Sequence, residues 1–138
     1  MKITINTSIK ADLKLCWNAW TTPADIMQWN AANDDWHTTR SSNDLRIGGT
    51  FTSRMEAKDG SMGFDFEGTY TNIIEHELIE CVLGDLRTVS VSFKEVDGSV
   101  QITETFDAEN EHSAEMQRAG WQAILDNFAR YVENISKI

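Results

Sequence analysis

WNAWTTPADIMQWN, residues Trp17 to Asn30, holds three of the chain's five tryptophans and its only proline. Thr22 is a capping residue type, Pro23 suits the first helical position because its φ is fixed and it lacks an N–H, and Asp25 can reach back as a capping-box carboxylate. The stretch therefore predicts one helix that ends near Trp20, a break at Thr21-Thr22, and a second short helix from Pro23 to about Gln28. Tryptophans this close together predict a single large apolar wall.

Upstream, Ile3, Ile5, Thr7 and Ile9 alternate with polar neighbours, the period of a half-buried strand, and Leu13, Cys16, Trp17 and Trp20 fall at helical spacing. Downstream, Asn30 to Asp44 is rich in Asn, Asp, Thr and Ser and reads as a long connection anchored by Trp36. Gly48-Gly49 then introduces an antiparallel meander: Thr50 to Ala57, Gly63 to Ile74, Leu78 to Leu83, Arg87 to Val96 and Ser99 to Asp107, with an Asp97-Gly98 hairpin turn. From Glu111 to Ile138, Met116, Gly120, Ile124, Phe128, Tyr131, Val132 and Ile135 form the stripe of one long amphipathic helix, widened by Trp121 and Leu125. Glu115, Arg118, Asp126, Arg130, Glu133 and Lys137 make up its expected solvated face.

A length of 138 residues, 41% of them hydrophobic, predicts a single domain spanning 1–138 that closes its own core. The formal net charge of −10 argues against nucleic acid and anionic membranes as partners. Cys16 and Cys81 lack the spacing of a disulfide framework and read as small buried hydrophobes. The first residues carry no apolar leader, and no run approaches the ~18 apolar residues of a membrane span, so a cytoplasmic protein is expected. Phosphate-loop, dinucleotide, zinc and nucleophile-elbow motifs are absent, and no cofactor is expected.

Strand, two short helices, antiparallel meander and long helix together specify an α+β layout. A curved antiparallel sheet wraps a long C-terminal helix, with the helix pair between strands 1 and 2 closing one end. Five segments carry a family resemblance: WNAWTTPADIMQWN, DDWHT (Asp34 to Thr38), DLRIGGTF (Asp44 to Phe51), RMEAKDGSMGFDFEGTY (Arg54 to Tyr70) and GWQAILDNFARYVE (Gly120 to Glu133). In this order they resemble the activator of heat-shock protein 90 ATPase homologue group, within the START-like, helix-grip superfamily also called SRPBCC. The resemblance implies a helix-grip fold over nearly the whole chain. Eukaryotic co-chaperones of the group resemble it only in their C-terminal domain. Asp85-Leu86-Arg87 stands where related chains often show Asp-Gly-Arg.

Strand parity supplies candidate site residues. Phe64, Phe66 and Tyr70 share one face of their strand, as do Phe51 and Met55, and Phe93 with Val89 and Val91. These either fill a core or line a cavity facing the long helix, from which Gln117, Trp121 and Leu125 are expected to contribute. Trp17 and Trp20 are expected as supports on the sheet side, and Trp29 and Trp36 near the cavity mouth. Glu104 shares parity with Val100, Ile102 and Phe106, so its carboxylate points inward, to orient a ligand or supply a proton; the plain alternatives are a pairing with Arg87 or a bulge facing water. His37, beside Asp34, Asp35 and Trp36, is a candidate gate, acid or base, or simply part of an anchored loop. Gln117 either sets an amide beside Trp121 or lies exposed. His37, His76 and His112 lack paired-ligand spacing, and no metal is expected.

The expected function is binding of a small, mostly hydrophobic ligand between sheet and helix, by a monomer or homodimer. The superfamily resemblance also implies two alternatives: a polyketide cyclase-like or hydrolase enzyme using Glu104 or His37, and a co-chaperone-like module acting on a chaperone ATPase.

Overall fold

The computed structural model describes residues 1–137. Its elements follow as β1 (Lys2–Ile9), α1 (Leu13–Thr21), α2 (Pro23–Trp29), β2 (Trp36–Asn43), β3 (Thr50–Ala57), β4 (Gly63–Ile74), β5 (Leu78–Leu83), β6 (Thr88–Val96), β7 (Ser99–Asp107) and α3 (Ala114–Ser136). All seven strands pair antiparallel in one sheet of order β1-β7-β6-β5-β4-β3-β2, curled into a half-barrel around α3. This is the α+β helix-grip layout expected from the order of elements. Among the described residues, no helix is long and apolar enough to cross a membrane.

Local chemistry sets the element ends. The Asp12 carboxylate accepts from the Leu15 N–H at 2.7 Å to cap α1, and Ser113 Oγ accepts from the Met116 N–H at 3.1 Å to cap α3. Asp97 (φ 50°) and Gly98 (φ 80°) both take the left-handed region that a tight β6–β7 hairpin needs. Thr22 takes the N-cap position of α2 before Pro23, as expected, but its side chain makes no cap bond. The capping-box expectation fails: Asp25, rather than reaching back to its own helix, accepts the hydroxyl of Tyr131 from α3. A long-range partner has outcompeted the local one.

The polar stretch after Asn30 is not one long connection. Its second half is β2, an edge strand paired with β3 from Trp36↔Ala57 to Asn43↔Phe51. Thr38, on its inner side, is buried and donates its hydroxyl to the Asn30 carbonyl at 2.7 Å, while Asn43 Nδ2 donates to the Thr21 carbonyl at 2.6 Å. Those bonds let a strand without apolar alternation lie under α2.

The core lies between β1, β7 and the middle of α3, where Ile3, Ile5, Ile9, Val100, Ile102, Phe106, Leu125, Phe128 and Val132 are essentially inaccessible. The tryptophan wall exists: Trp20 and Trp29 each meet Phe128 with ring centroids 4.9 Å apart, and Trp17 meets Phe93 at 5.2 Å. Trp29 Nε1 donates to the Ala19 carbonyl at 3.0 Å, tying α2 to α1. Part of the expected solvated face of α3 instead latches the outer edge of β1. Arg118 Nη1 donates to the Thr4 carbonyl at 2.7 Å, and Glu133 Oε2 accepts from the Lys10 N–H at 3.0 Å. Gln122 Nε2 adds a bond to the Asn6 carbonyl at 3.0 Å. An edge strand capped this way offers little backbone for a second sheet to join.

Candidate functional site

Between the concave face of the sheet and the first half of α3 lies a cavity of about 480 Å³. That size lies within the range of small-molecule sites. From β3 to β7, each strand contributes the side chains of a single parity. β3 supplies Phe51, Ser53 and Met55; β4 supplies Phe64, Phe66 and Tyr70; β5 and β6 supply Ile79, Cys81, Val89 and Val91; β7 supplies Glu104. The helix pair contributes Trp20, Ile26 and Trp29, and α3 contributes Met116, Gln117, Gly120, Trp121 and Ile124. Phe64 (47% exposed) and Met116 (63% exposed) mark where the space reaches solvent.

Two glycines shape the walls. At Gly68 a Cβ would stand 2.7 Å from the Val82 carbonyl oxygen and 2.9 Å from the Phe51 ring, so its absence lets that ring lie over β4. At Gly120, in the interior of α3, a Cβ would meet nothing within 4 Å. Glycine inside a helix costs about 0.5–1 kcal/mol relative to alanine, and here it leaves room in the cavity.

Glu104 is the unusual wall residue. It is 7% exposed, its cross-strand neighbours are Ile5 and Val91, and its side chain makes no hydrogen bond or ion pair among the described residues. Burial pushes its carboxyl up to about 8. The pairing with Arg87 does not form: Arg87 Nε donates to Asp85 at 2.7 Å. Burial also raises Cys81 to about 12 and lifts Tyr70 well above the ordinary phenol range. Tyr70 donates its hydroxyl to Asn43 Oδ1 at 2.5 Å. Far from Glu104 along the sheet, Asn30, Ser41, Ser42 and Ser53 give the cavity a second, uncharged polar margin.

Of the residues singled out by sequence, Trp29, Phe51, Met55, Phe64, Phe66, Tyr70, Glu104, Gln117 and Trp121 come together around this space. Trp36, His37, Phe93 and Leu125 do not. Trp36 sits outside against Phe64, ring centroids 5.9 Å apart, and His37 is exposed on β2 opposite Glu56. Phe93 lies beyond the cavity, under Trp17 and Trp20, and Leu125 belongs to the core. Gln117 lines the cavity, yet its amide is engaged by the loop before α3. It accepts from the Glu109 N–H at 2.8 Å and donates to the Glu109 and His112 carbonyls at 3.1 and 2.8 Å. Trp20, expected as a support on the sheet side, is a cavity wall.

Several wall residues went unnoticed in the sequence. Ser41 and Ser42 were hidden in the misread strand, and Gly120 looked like a stripe position. Glu109 and His112 also stand at the cavity, with His112 Nδ1 3.2 Å from the Glu109 carboxylate. Together with Glu111 they bring potential ligand atoms within 4.8 Å of one another, a grouping that histidine spacing alone did not suggest. The Glu109 carboxylate also accepts the His112 N–H at 2.7 Å, so local turn formation accounts for the contact.

A family model described as Activator of Hsp90 ATPase homolog 1-like protein matches residues 10–133. An AHSA1-like protein from Aeromonas hydrophila, solved by NMR, is 49% identical with a TM-score of 0.92, over 98% of this chain and 94% of that one. A protein from Cytophaga hutchinsonii is 43% identical with a TM-score of 0.84, over 99% of this chain and 94% of that one. At 15% identity, a protein from Nitrosomonas europaea shares the fold with a TM-score of 0.84, over 98% of this chain and 96% of that one. No curated protein matches the chain.

Proposed function

Because this chain belongs to the Activator of Hsp90 ATPase homolog 1-like family and keeps an open apolar cavity in its helix-grip fold, we propose that it binds a small, mostly hydrophobic molecule between the sheet and α3. Gly120 carries the reading. A mid-helix glycine beside empty space forgoes helix stability and leaves the volume unfilled. Burying ~200–300 Å² of apolar ligand surface would contribute ~5–7 kcal/mol before binding costs, enough for micromolar affinity.

The enzyme alternative has less support, because Glu104 has no hydrogen-bonded base beside it among the described residues and His37 lies outside the cavity. The co-chaperone alternative rests on the family description alone.

Titration with the neutral fluorophore N-phenyl-1-naphthylamine tests the reading. Wild type should enhance its emission with a micromolar Kd. Gly120→Leu should fold at least as stably and weaken binding by about tenfold or more, since a leucine side chain would occupy the space beside α3. Equal binding by the filled variant would place the probe elsewhere and defeat the proposal. Native mass spectrometry of the chain from its own host would then identify what it carries.

A further inference from the structure

We propose that the ligands of this cavity are amphiphilic amines, whose apolar skeleton lies along the aromatic wall and whose ammonium group meets the Glu104 carboxylate. The inference rests on the ligand-binding reading of the same cavity and adds the chemical class of what is bound.

Glu104 is buried, lines the cavity, and has no protein partner among the described residues. Its oxygens keep some accessible surface but lie in largely desolvated surroundings that disfavour the carboxylate, and a cation brought in by a ligand would remove that penalty. The protein does not supply one. Arg87, the sole lysine or arginine among the lining residues, is bound to Asp85 at 2.7 Å, and His112 faces Glu109. The elements packed beside Glu104 present apolar neighbours, Ile5 from β1 and Val91 from β6. The other titratable wall groups, Tyr70 and Cys81, are ordinarily neutral at pH 7, and burial moves both further from ionisation.

The surroundings favour a cation over an anion. Phe51, Phe66, Tyr70 and Trp121 line the space, and aromatic faces attract ammonium groups. A net charge of −10 draws cations toward a low-dielectric cleft and repels carboxylate- or phosphate-headed amphiphiles. In the empty cavity the Glu104 carboxyl keeps its proton at pH 7; docking an ammonium group converts it to the carboxylate and sends that proton to solvent. Binding an amine therefore releases nearly one proton at pH 7, and binding an alcohol releases none.

Isothermal titration with n-decylamine, n-decanol and n-decanoate, each below its aggregation threshold and in two buffers of different ionisation enthalpy, reads both affinity and proton release. Decylamine should bind at least about tenfold more tightly than decanol, with decanoate weakest. Glu104→Gln should weaken decylamine binding by about tenfold or more and abolish its proton release. Should that variant not fold, the proton count in wild type decides: close to one for the amine and none for the alcohol. Decanol binding as tightly as decylamine, or amine binding without proton release, would overturn the amine inference and leave hydrophobic ligand binding standing. Failure of all three probes up to their solubility limits would overturn both.

Discussion

The indole of Trp121 lies flat on the ring of Phe106, with centroids 3.8 Å apart and planes 9° from parallel. This contact joins α3 to β7 two residues from Glu104 and on the same face of the strand, so it fixes how far the helix stands from the Glu104 carboxyl. Trp121→Ala should lower stability by about 2–4 kcal/mol, through lost burial and lost stacking. Urea denaturation checks this; a loss below about 1 kcal/mol would mean the stack positions the helix without holding it.

Glu104 should leave a signature in the pH dependence of stability. Its folded value of about 8 lies above the ordinary 4.5, so between those values the folded state holds a proton that the unfolded state has released. Stability therefore falls as pH rises through that window, by up to ~1.4 kcal/mol per pH unit, and levels off above it. Glu104→Gln should match wild type near pH 4.5 and exceed it increasingly toward pH 8. Parallel urea midpoints for the two proteins across this range would show that the carboxyl is ordinary.

Leu86 occupies the left-handed region (φ 74°) and is 81% exposed, in the turn where the Asp-Leu-Arg string departs from Asp-Gly-Arg. The turn forms nonetheless, closed by the Leu86 N–H bond to the Leu83 carbonyl at 2.9 Å. A branched side chain at this φ is strained by about 1–2 kcal/mol, partly offset in a glycine variant by the entropy of its unfolded chain. Leu86→Gly should raise stability by about 0.5–1 kcal/mol. A lower thermal midpoint for the variant would refute the strain argument.

Gly68→Ala should have the opposite sign. The added Cβ would stand 2.7 Å from the Val82 backbone oxygen, which cannot swing aside, and 2.9 Å from the Phe51 ring. A destabilisation of about 1–3 kcal/mol is expected, with a shift of the Phe51 ring resonances. Unchanged stability and spectra would show that the sheet yields there easily.

Sequence reading succeeded where burial follows period. β1 and the strands from β3 onward were legible because one face is apolar, and α3 because its stripe runs for six turns. β2 was not, since WHTTRSSN is polar on both faces and depends on Asn30 and Thr21, whose carbonyls it engages only after the chain has folded back. For the site, parity identified the face but not the distance along it. Val91 lines the cavity, while Phe93, two residues on, has passed beneath Trp17 and Trp20. Likewise Leu125, one turn after Trp121, has left the open space for the core. Glu104 was legible because a carboxylate in an apolar register is conspicuous; the engagement of the Gln117 amide by its preceding loop was not, being a matter of tertiary geometry.

Along α3, the residues that bear on the open space (Met116, Gln117, Gly120, Trp121 and Ile124) all precede Leu125, Phe128 and Val132, which fill the core. One helix thus divides its labour by length: the later turns anchor the molecule, and the earlier ones form a replaceable roof. Substitutions at Met116, Gly120 and Ile124 can remodel the space beneath while the anchor and the Trp121–Phe106 stack hold, so the shape of the cavity can change with few replacements and little risk to folding.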